Sequence, residues 1–325
     1  METKHQRVNT NRSSESLLSV VIPAFQEGNH IKSSIGVIEK VLIDNKIPYE
    51  FIIVDDGSRD NTWEELKSLG SSNDKITALR LSRNFGKEAA LCAGMDHGNG
   101  DMFLVMDADL QHPPELIPEM VRMWRDEGYD VVEGIKNSRG KENPIYHGLA
   151  KLFYYILLKT ADIDLERASD YKLMDRKVVD AWKEMPERTT FFRGMTSWVG
   201  FDCRKLSFDV AKRVKGRTKW SPYKLLRLAV NAITSFTSVP LHCITILGIL
   251  MLVATFFLGI QTLFMKFSGR ATDGFTTVIL LILIIGSSIM VSLGIIGIYL
   301  TKIYQEVKGR PRYLIAKSIK GGDKK

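Results

Sequence analysis

The sequence predicts an α/β domain built on an open, mostly parallel sheet, joined to interfacial helices and two transmembrane α-helices. Three observations lead there. Short β-rich runs alternate with helical stretches in the first part of the chain, acidic turns follow several of those runs, and residues 240–300 are almost free of charge. The chain-wide totals, 325 residues with 45 Lys and Arg against 37 Asp and Glu for a net charge of +8, conceal this division. They exclude a collagen, a disordered chain and a disulfide scaffold, and the three cysteines show no CxxC or CxxH spacing.

The elements follow in order. Residues 1–17 are a polar tail without an apolar h-region, so no cleaved secretory signal is expected and the first domain is expected to stay in the cytoplasm. Leu18–Ile22 reads as a strand, and a helix is expected from Glu27 to about Ile43. Glu50–Val54 is a second strand, and Asn61–Leu69 a helix capped by Asp60 or Asn61. Ile76–Leu81 is a strand, Lys87–His97 a helix and Met102–Met106 a buried strand. Ligands of such sheets bind beyond the carboxyl ends of the strands.

Those ends carry the chemistry. The first strand runs into Pro23-Ala24-Phe25-Gln26-Glu27, the second into Asp55-Asp56-Gly57-Ser58, and the strand at 102–106 into Asp107-Ala108-Asp109-Leu110-Gln111. Asp before Gly and Ser is by itself a common turn, but three acidic turns at one sheet edge point to a site. Gathered carboxylates raise one another's pKa unless a cation joins them. Oxygen-only ligation by Asp107, Asp109 and Gln111 selects Mg²⁺ or Mn²⁺, completed by substrate phosphates, which suggests a nucleotide diphosphate derivative as substrate. No GxxxxGK[ST] is present, and Gly98-Asn99-Gly100 does not open a helix after a strand, so P-loop ATPases and dinucleotide-dependent dehydrogenases lose support.

Ile244–Leu263 and Phe275–Leu300 are each long enough at 1.5 Å per residue to cross a ~30 Å hydrocarbon layer, and the spans are placed at about 242–264 and 275–300. Lys and Arg crowd the chain before the first and after the second, whereas the loop between holds only Lys266 and Arg270. Both termini are therefore expected on the cytoplasmic side of the plasma membrane, with residues 301–325 as a cytoplasmic tail. The same cations account for the net charge by binding anionic headgroups, so nucleic acid is not expected as a partner. Residues 221–239 are expected to form an amphipathic interfacial helix, and Ile145–Leu158 is either a second surface segment or a core helix.

With these residues assembled, the chain resembles a known family. PAFQE, DDGS, RNFGKEAAL (83–91), DADLQHPPE (107–115), SDYKLMDRKVV (169–179), FFRGMTSWVGF (191–201) and RVKGRTKWS (213–221), followed by two spans, are similar to the polyprenyl-phosphate glycosyltransferases. These are GT-A-fold enzymes related to dolichol-phosphate mannose synthase and include bactoprenol glucosyltransferases. The resemblance implies a cytoplasmic GT-A domain over 18–220. It also implies transfer of glucose or N-acetylglucosamine from a UDP-sugar to undecaprenyl phosphate with inversion, giving a β-linked lipid for envelope glycans. Homo-oligomers, as tetramers, are implied as well.

Carried over by position, the resemblance assigns Pro23, Phe25 and Glu27 to first nucleotide contacts and Asp56 with Val54 to the base and ribose. Asp107, Ala108 and Asp109 meet the diphosphate and metal, with Gln111 the third protein ligand. As catalytic residues, Arg213 and Lys219 form a basic pair on a loop closing over the diphosphate, and Asp170 is the acidic residue below the sugar, either a base or a group that orients the sugar or a basic side chain. The acceptor segment departs from the family pattern: Lys136 stands for Arg, and His147 and Ala150 for Arg and Ser, leaving Lys136, Arg139 and Lys151 as expected acceptor-phosphate cations. His112 is read as shaping its loop. Two other classes compete. A processive polysaccharide synthase would need more spans and a QxxRW motif, and a silent membrane adaptor would not need the acidic triad.

Overall fold

The computed structural model describes residues 12–136, 169–185, 191–208, 237–268 and 274–321, with Lys159, Glu187 and Thr234. The chain divides into two compact units. One is formed by residues up to 154, 162–219 and 311–325, the other by residues 155–161 and 220–310.

The first unit is built on an eight-stranded sheet. Its strands are β1 (Leu18–Ala24), β2 (Tyr49–Asp55), β3 (Ile76–Leu81), β4 (Met102–Val105), β5 (Val131–Lys136), β6 (Lys172–Asp175), β7 (Cys203–Phe208) and β8 (Ile315–Lys320), in the order β7-β5-β6-β4-β1-β2-β3-β8. β1 pairs in parallel with β2 on one side and β4 on the other, and β2 in parallel with β3. β6 runs antiparallel to β4 and β5, and β8 antiparallel to β3. The central strands read as continuous apolar runs because both faces are covered: Val20, Val21, Ile22, Phe51, Ile52, Ile53 and Leu104 are fully buried. Each such side chain contributes roughly 1.5–3 kcal/mol of apolar burial.

The helices of this unit are α1 (Ile31–Asp44), α2 (Thr62–Ser72), α3 (Lys87–His97), α4 (Ile117–Arg125), α5 (Arg176–Lys183) and α6 (Phe192–Trp198). α3 is buried around most of its circumference, from Ala89 through Met95. At Gly94 an added Cβ would lie 2.3 Å from Val21 Cγ1, so only glycine lets the helix sit this close to the sheet. α1 starts four residues after the expected Glu27, because Gln26 takes φ 59° and Glu27 instead closes a turn, its carbonyl accepting from the His30 and Ile31 amides. α2 is capped from Asp60, whose Oδ1 accepts from Thr62 N at 3.2 Å and Thr62 Oγ1 at 2.6 Å.

The segment expected to be a C-terminal tail, 301–325, is different. Residues 315–320 are β8, hydrogen-bonded along β3, and Ile319 packs against the core. Tyr313 donates to Asp96 Oδ2 at 2.7 Å, and Arg312 donates to the Met185 carbonyl. The partner of this segment is the open edge of its own sheet, at a sequence distance that no local pattern reports.

The second unit contains α7 (Val239–Phe267) and α8 (Phe275–Val307), longer than the expected spans at both ends of the first and at the end of the second. Both are apolar enough to cross a membrane, and none of their most apolar windows is buried. A core helix of a soluble protein would hide Leu252, Phe256, Met290 and Ile303, all exposed here. The expected interfacial helix at 221–239 and the stretch 145–158 lie outside the described residues, apart from Thr234 and residues 237–239.

Candidate active site

Topology places the site. β1 lies between β2 and β4, so the chain order reverses there, and the turns after β1, β2 and β4 open onto one crevice. β6 is antiparallel to β4, with Lys172 opposite Val105, so Asp170, just before β6, arrives at the same edge as Asp107. α3 begins after β3, which brings Lys87 there as well.

The crevice has a volume of about 330 Å³ and is lined by Pro23, Ala24, Phe25, Glu27, Asp56, Asn84, Gly86, Lys87, Asp107, Ala108 and Asp109. Seven of the eight residues expected to contact the nucleotide sugar are in this set. The eighth, Val54, is fully buried in β2, where it faces Gly94 of α3. Arg213, Lys219, Arg139 and Lys151 lie outside the described residues, and Lys136 is the last residue of β5.

Two backbone features hold the rim. Gly57 has φ 69°, and a Cβ there would sit 2.5 Å from the carbonyl carbon of Arg83 and 2.7 Å from the amide nitrogen of Asn84. Asp56 fixes the same loop, its carboxylate accepting from the Phe85 amide at 2.7 Å and the Gly86 amide at 2.9 Å. Burial raises the Asp56 carboxyl above its usual range, while these two amides pull it back. At the β4 turn, Leu110 takes φ 55°, and Asp109 Oδ1 accepts from the Gln111 amide at 3.1 Å. His112 is buried, accepts the Asp107 amide on Nδ1 at 3.2 Å and stacks on Tyr171 at 4.9 Å between ring centroids. It therefore shapes the loop, as expected.

The acidic cluster is partly neutralised by a residue to which the sequence reading gave no role. Lys87 Nζ lies 2.6 Å from Asp107 Oδ1 and 2.6 Å from Asp170 Oδ2. Asp170 is also gripped by Arg193, with Nε at 2.7 Å and Nη2 at 3.0 Å. Burial alone would raise the Asp170 carboxyl, but Arg193 and then Lys87 hold it well below the usual carboxylate range. Burial opposes the charge of Lys87, yet Asp107 and Asp170 hold its ammonium above the ordinary value. Behind this trio, Glu88 Oε2 accepts the Phe192 amide at 2.8 Å, and burial pushes its carboxyl up to about 7. The fully buried Lys172 donates to Thr196 Oγ1 at 2.8 Å and pairs with Glu133 at 3.2 Å, tying α6 to the sheet. Lys87 and Arg193 both fall within family-like motifs, but spacing alone carries no sign that one carboxylate would join them.

Repulsion among carboxylates therefore does not by itself demand a metal, as the sequence argument had it, because Lys87 supplies one cation. Uncompensated negative charge remains on the other side. Burial, then repulsion by Asp109 and more weakly by Asp107, raises the Glu27 carboxyl. Among the described residues no three His, Cys, Asp or Glu side chains close on one point. Asp107 and the exposed Asp109, with Gln111 close by, offer the sparse, oxygen-only donor set that suits a hard cation keeping most of its coordination for water and phosphate.

Residues 19–182 match the model of glycosyl transferase family 2. The chain is 41% identical over 304 residues to an uncharacterized glycosyltransferase of Synechocystis sp., covering 92% of this chain and 94% of that one. It is 34% identical over 309 residues to the SfII prophage-derived bactoprenol glucosyl transferase of Shigella flexneri, covering 94% and 99%. Among solved structures, a glucosyl-3-phosphoglycerate synthase from Mycobacterium tuberculosis gives a TM-score of 0.46 at 19% identity, over 67% of this chain and 78% of that one. The expected GT-A-like α/β sheet, with two C-terminal apolar helices able to span a membrane, is borne out.

Proposed function

The chain belongs to glycosyl transferase family 2, and on that premise we propose that this glycosyltransferase moves glucose or N-acetylglucosamine from a UDP-sugar to undecaprenyl phosphate on the cytoplasmic leaflet. The observation that carries the proposal is the convergence of the turns after β1, β2 and β4 on one crevice, in a chain that also bears two membrane-length helices. The acceptor class is supported by relatives named bactoprenol glucosyl transferase that align over nearly their whole length.

In this reading the exposed Phe25 and the loop fixed by Asp56 receive the nucleoside, and Asp107 and Asp109 face the diphosphate. A divalent cation bound by Asp107, Asp109 and Gln111 would supply positive charge at the leaving diphosphate oxygens. Arg213 and Lys219 are proposed to add to that charge. The acceptor arrives as an anion, so no side chain has to remove a proton from it. Asp170, held ionised by two cations, then acts as a positioning group and the sugar is transferred with inversion.

Both flanks of the helix pair are assigned to one face of the membrane. The basic flanks support this, and so does β8: strands on either side of α7 and α8 share one sheet, which requires an even number of crossings between them. The test is purified protein with undecaprenyl phosphate, Mg²⁺ or Mn²⁺ and a panel of radiolabelled UDP-sugars. A labelled lipid from one donor is expected, and none from any donor would overturn the proposal. Asp109→Ala should abolish turnover and weaken Mn²⁺ binding without lowering the melting temperature, since Asp109 is exposed and, among the described residues, accepts only the Gln111 amide. Retained turnover would remove the metal assignment.

A further inference from the structure

We infer that Lys87 and Arg193, joined through Asp170, form the seat for the phosphate-ester anion of the acceptor. The inference rests on the transfer reaction above and adds to it the place from which the nucleophile attacks.

The crevice is hostile to an anion almost everywhere, since Glu27, Asp56, Asp107 and Asp109 line it and Lys87 is the one cation among its described lining residues. Among the described residues, an acceptor phosphate entering this field meets paired cations where Lys87 and Arg193 stand together. There the arrangement is layered. The Asp170 side chain is 11% exposed, whereas those of Lys87 and Arg193 are 39% and 42% exposed, so the carboxylate lies beneath and the two cations face outward. Asp170 stays ionised, so the trio carries a net charge of +1 and its geometry is set before the ligand arrives.

Donors remain for that ligand. Lys87 uses two of its three N–H groups on Asp107 and Asp170, and Arg193 uses Nε and Nη2 on Asp170. Among the described residues, Arg193 Nη1 has no hydrogen-bond partner. A fork and a point charge beside each other suit a phosphate monoester, whose oxygens accept from both. The seat also adjoins Asp107, the residue assigned to the diphosphate in the proposed reaction. A phosphate oxygen held there is directed toward the anomeric carbon. The new bond joins that oxygen to the anomeric carbon, the bond from the anomeric carbon to the diphosphate oxygen breaks, and UDP leaves with the electron pair. No proton has to move, because the attacking oxygen is already deprotonated.

The experiment uses the full chain in detergent, with farnesyl phosphate as a short acceptor and UDP as the donor-side probe. Arg193→Gln should raise the KM for farnesyl phosphate roughly 10–100-fold, the loss expected for a charge-assisted hydrogen bond. UDP affinity, measured by calorimetry, should stay within about twofold, and Arg193→Lys should recover part of the loss. By calorimetry, the donor-free wild-type chain should bind farnesyl phosphate more tightly than farnesol, and Arg193→Gln and Lys87→Gln should each weaken farnesyl phosphate binding roughly tenfold or more. An unchanged acceptor KM with weakened UDP binding would assign the pair to the donor diphosphate and overturn the inference. Equal farnesyl phosphate affinity in the wild type and both variants would do the same. Failure of the wild-type chain to glycosylate any lipid phosphate would sink the parent reaction instead, and the binding experiment reads the seat independently of turnover.

Discussion

Replacing Asp170 by Asn keeps the shape of the side chain and removes one negative charge from beneath two cations. The carboxylate accepts from Lys87 Nζ at 2.6 Å and from Arg193 Nε and Nη2 at 2.7 and 3.0 Å. Each hydrogen bond to a charged group contributes about 1.5–3 kcal/mol when well buried. The cationic side chains are 39% and 42% exposed, so solvent screening lowers the total well below the sum of three. A loss of about 2–4 kcal/mol is expected, equivalent to a fall in Tm of roughly 5–10 °C for a domain of this size. The sign with pH follows from the depressed carboxyl. Its stabilisation is fully present above the unfolded value of about 3.9 and is lost as pH falls from there through the folded value. The deficit of the Asn variant is therefore constant from about pH 5 to pH 8 and closes only below about pH 4. Thermal unfolding followed by the fluorescence of the buried Trp124 and Trp182 reads it. Turnover should fall while the pH–rate profile keeps its shape, because in the proposed reaction Asp170 positions cations and takes no proton. A deficit confined to pH above 7, or an acid limb that vanishes with the substitution, would refute this reasoning.

Two further substitutions test the framework around the site. Gly57→Ala must take a positive φ and push its methyl into the Arg83–Asn84 backbone, so a loss of at least about 1–2 kcal/mol in stability is expected together with weaker UDP binding; a variant matching the wild type in both would show that the loop is not held this way. Glu88→Gln keeps an acceptor for the Phe192 amide and removes a carboxyl raised from 4.5 to about 7. The raised carboxyl loses stability as pH climbs through that window, so the Gln variant should match the wild type below about pH 4.5 and exceed it above pH 7 by up to about 3 kcal/mol. Melting curves at pH 4.5 and 8 decide it, and a gain that is larger at the acid end would reverse the assignment.

Local pattern carried much of this molecule and failed where contacts are distant. β1, β2 and β3 were legible because residues such as Val20-Val21-Ile22 and Ile52-Ile53-Val54 are buried on both faces and leave no polar alternation. Asp56, Asp107 and Asp109 were legible as a site because parallel strands deliver their carboxyl ends to one edge. β8 was not, since Ile315–Lys320 mixes exposed and half-buried residues and its partner Ile76–Leu81 lies most of the chain away. The Lys87–Asp170–Arg193 arrangement was hidden for the same reason: α3, the approach to β6 and α6 meet only through the antiparallel entry of β6. Gln26 and Leu110 were hidden differently, as non-glycine residues in left-handed conformations that a turn signal does not announce.

The strand that covers the β3 edge of the sheet is, among the described strands, the last in sequence. Until Ile315–Lys320 emerges, β3 presents a row of unsatisfied amides and carbonyls, and both apolar helices must be synthesised first. Completion of the sheet is thereby made to wait for the synthesis of both apolar helices. A chain halted before residue 315 keeps that sticky border on show to chaperones and proteases.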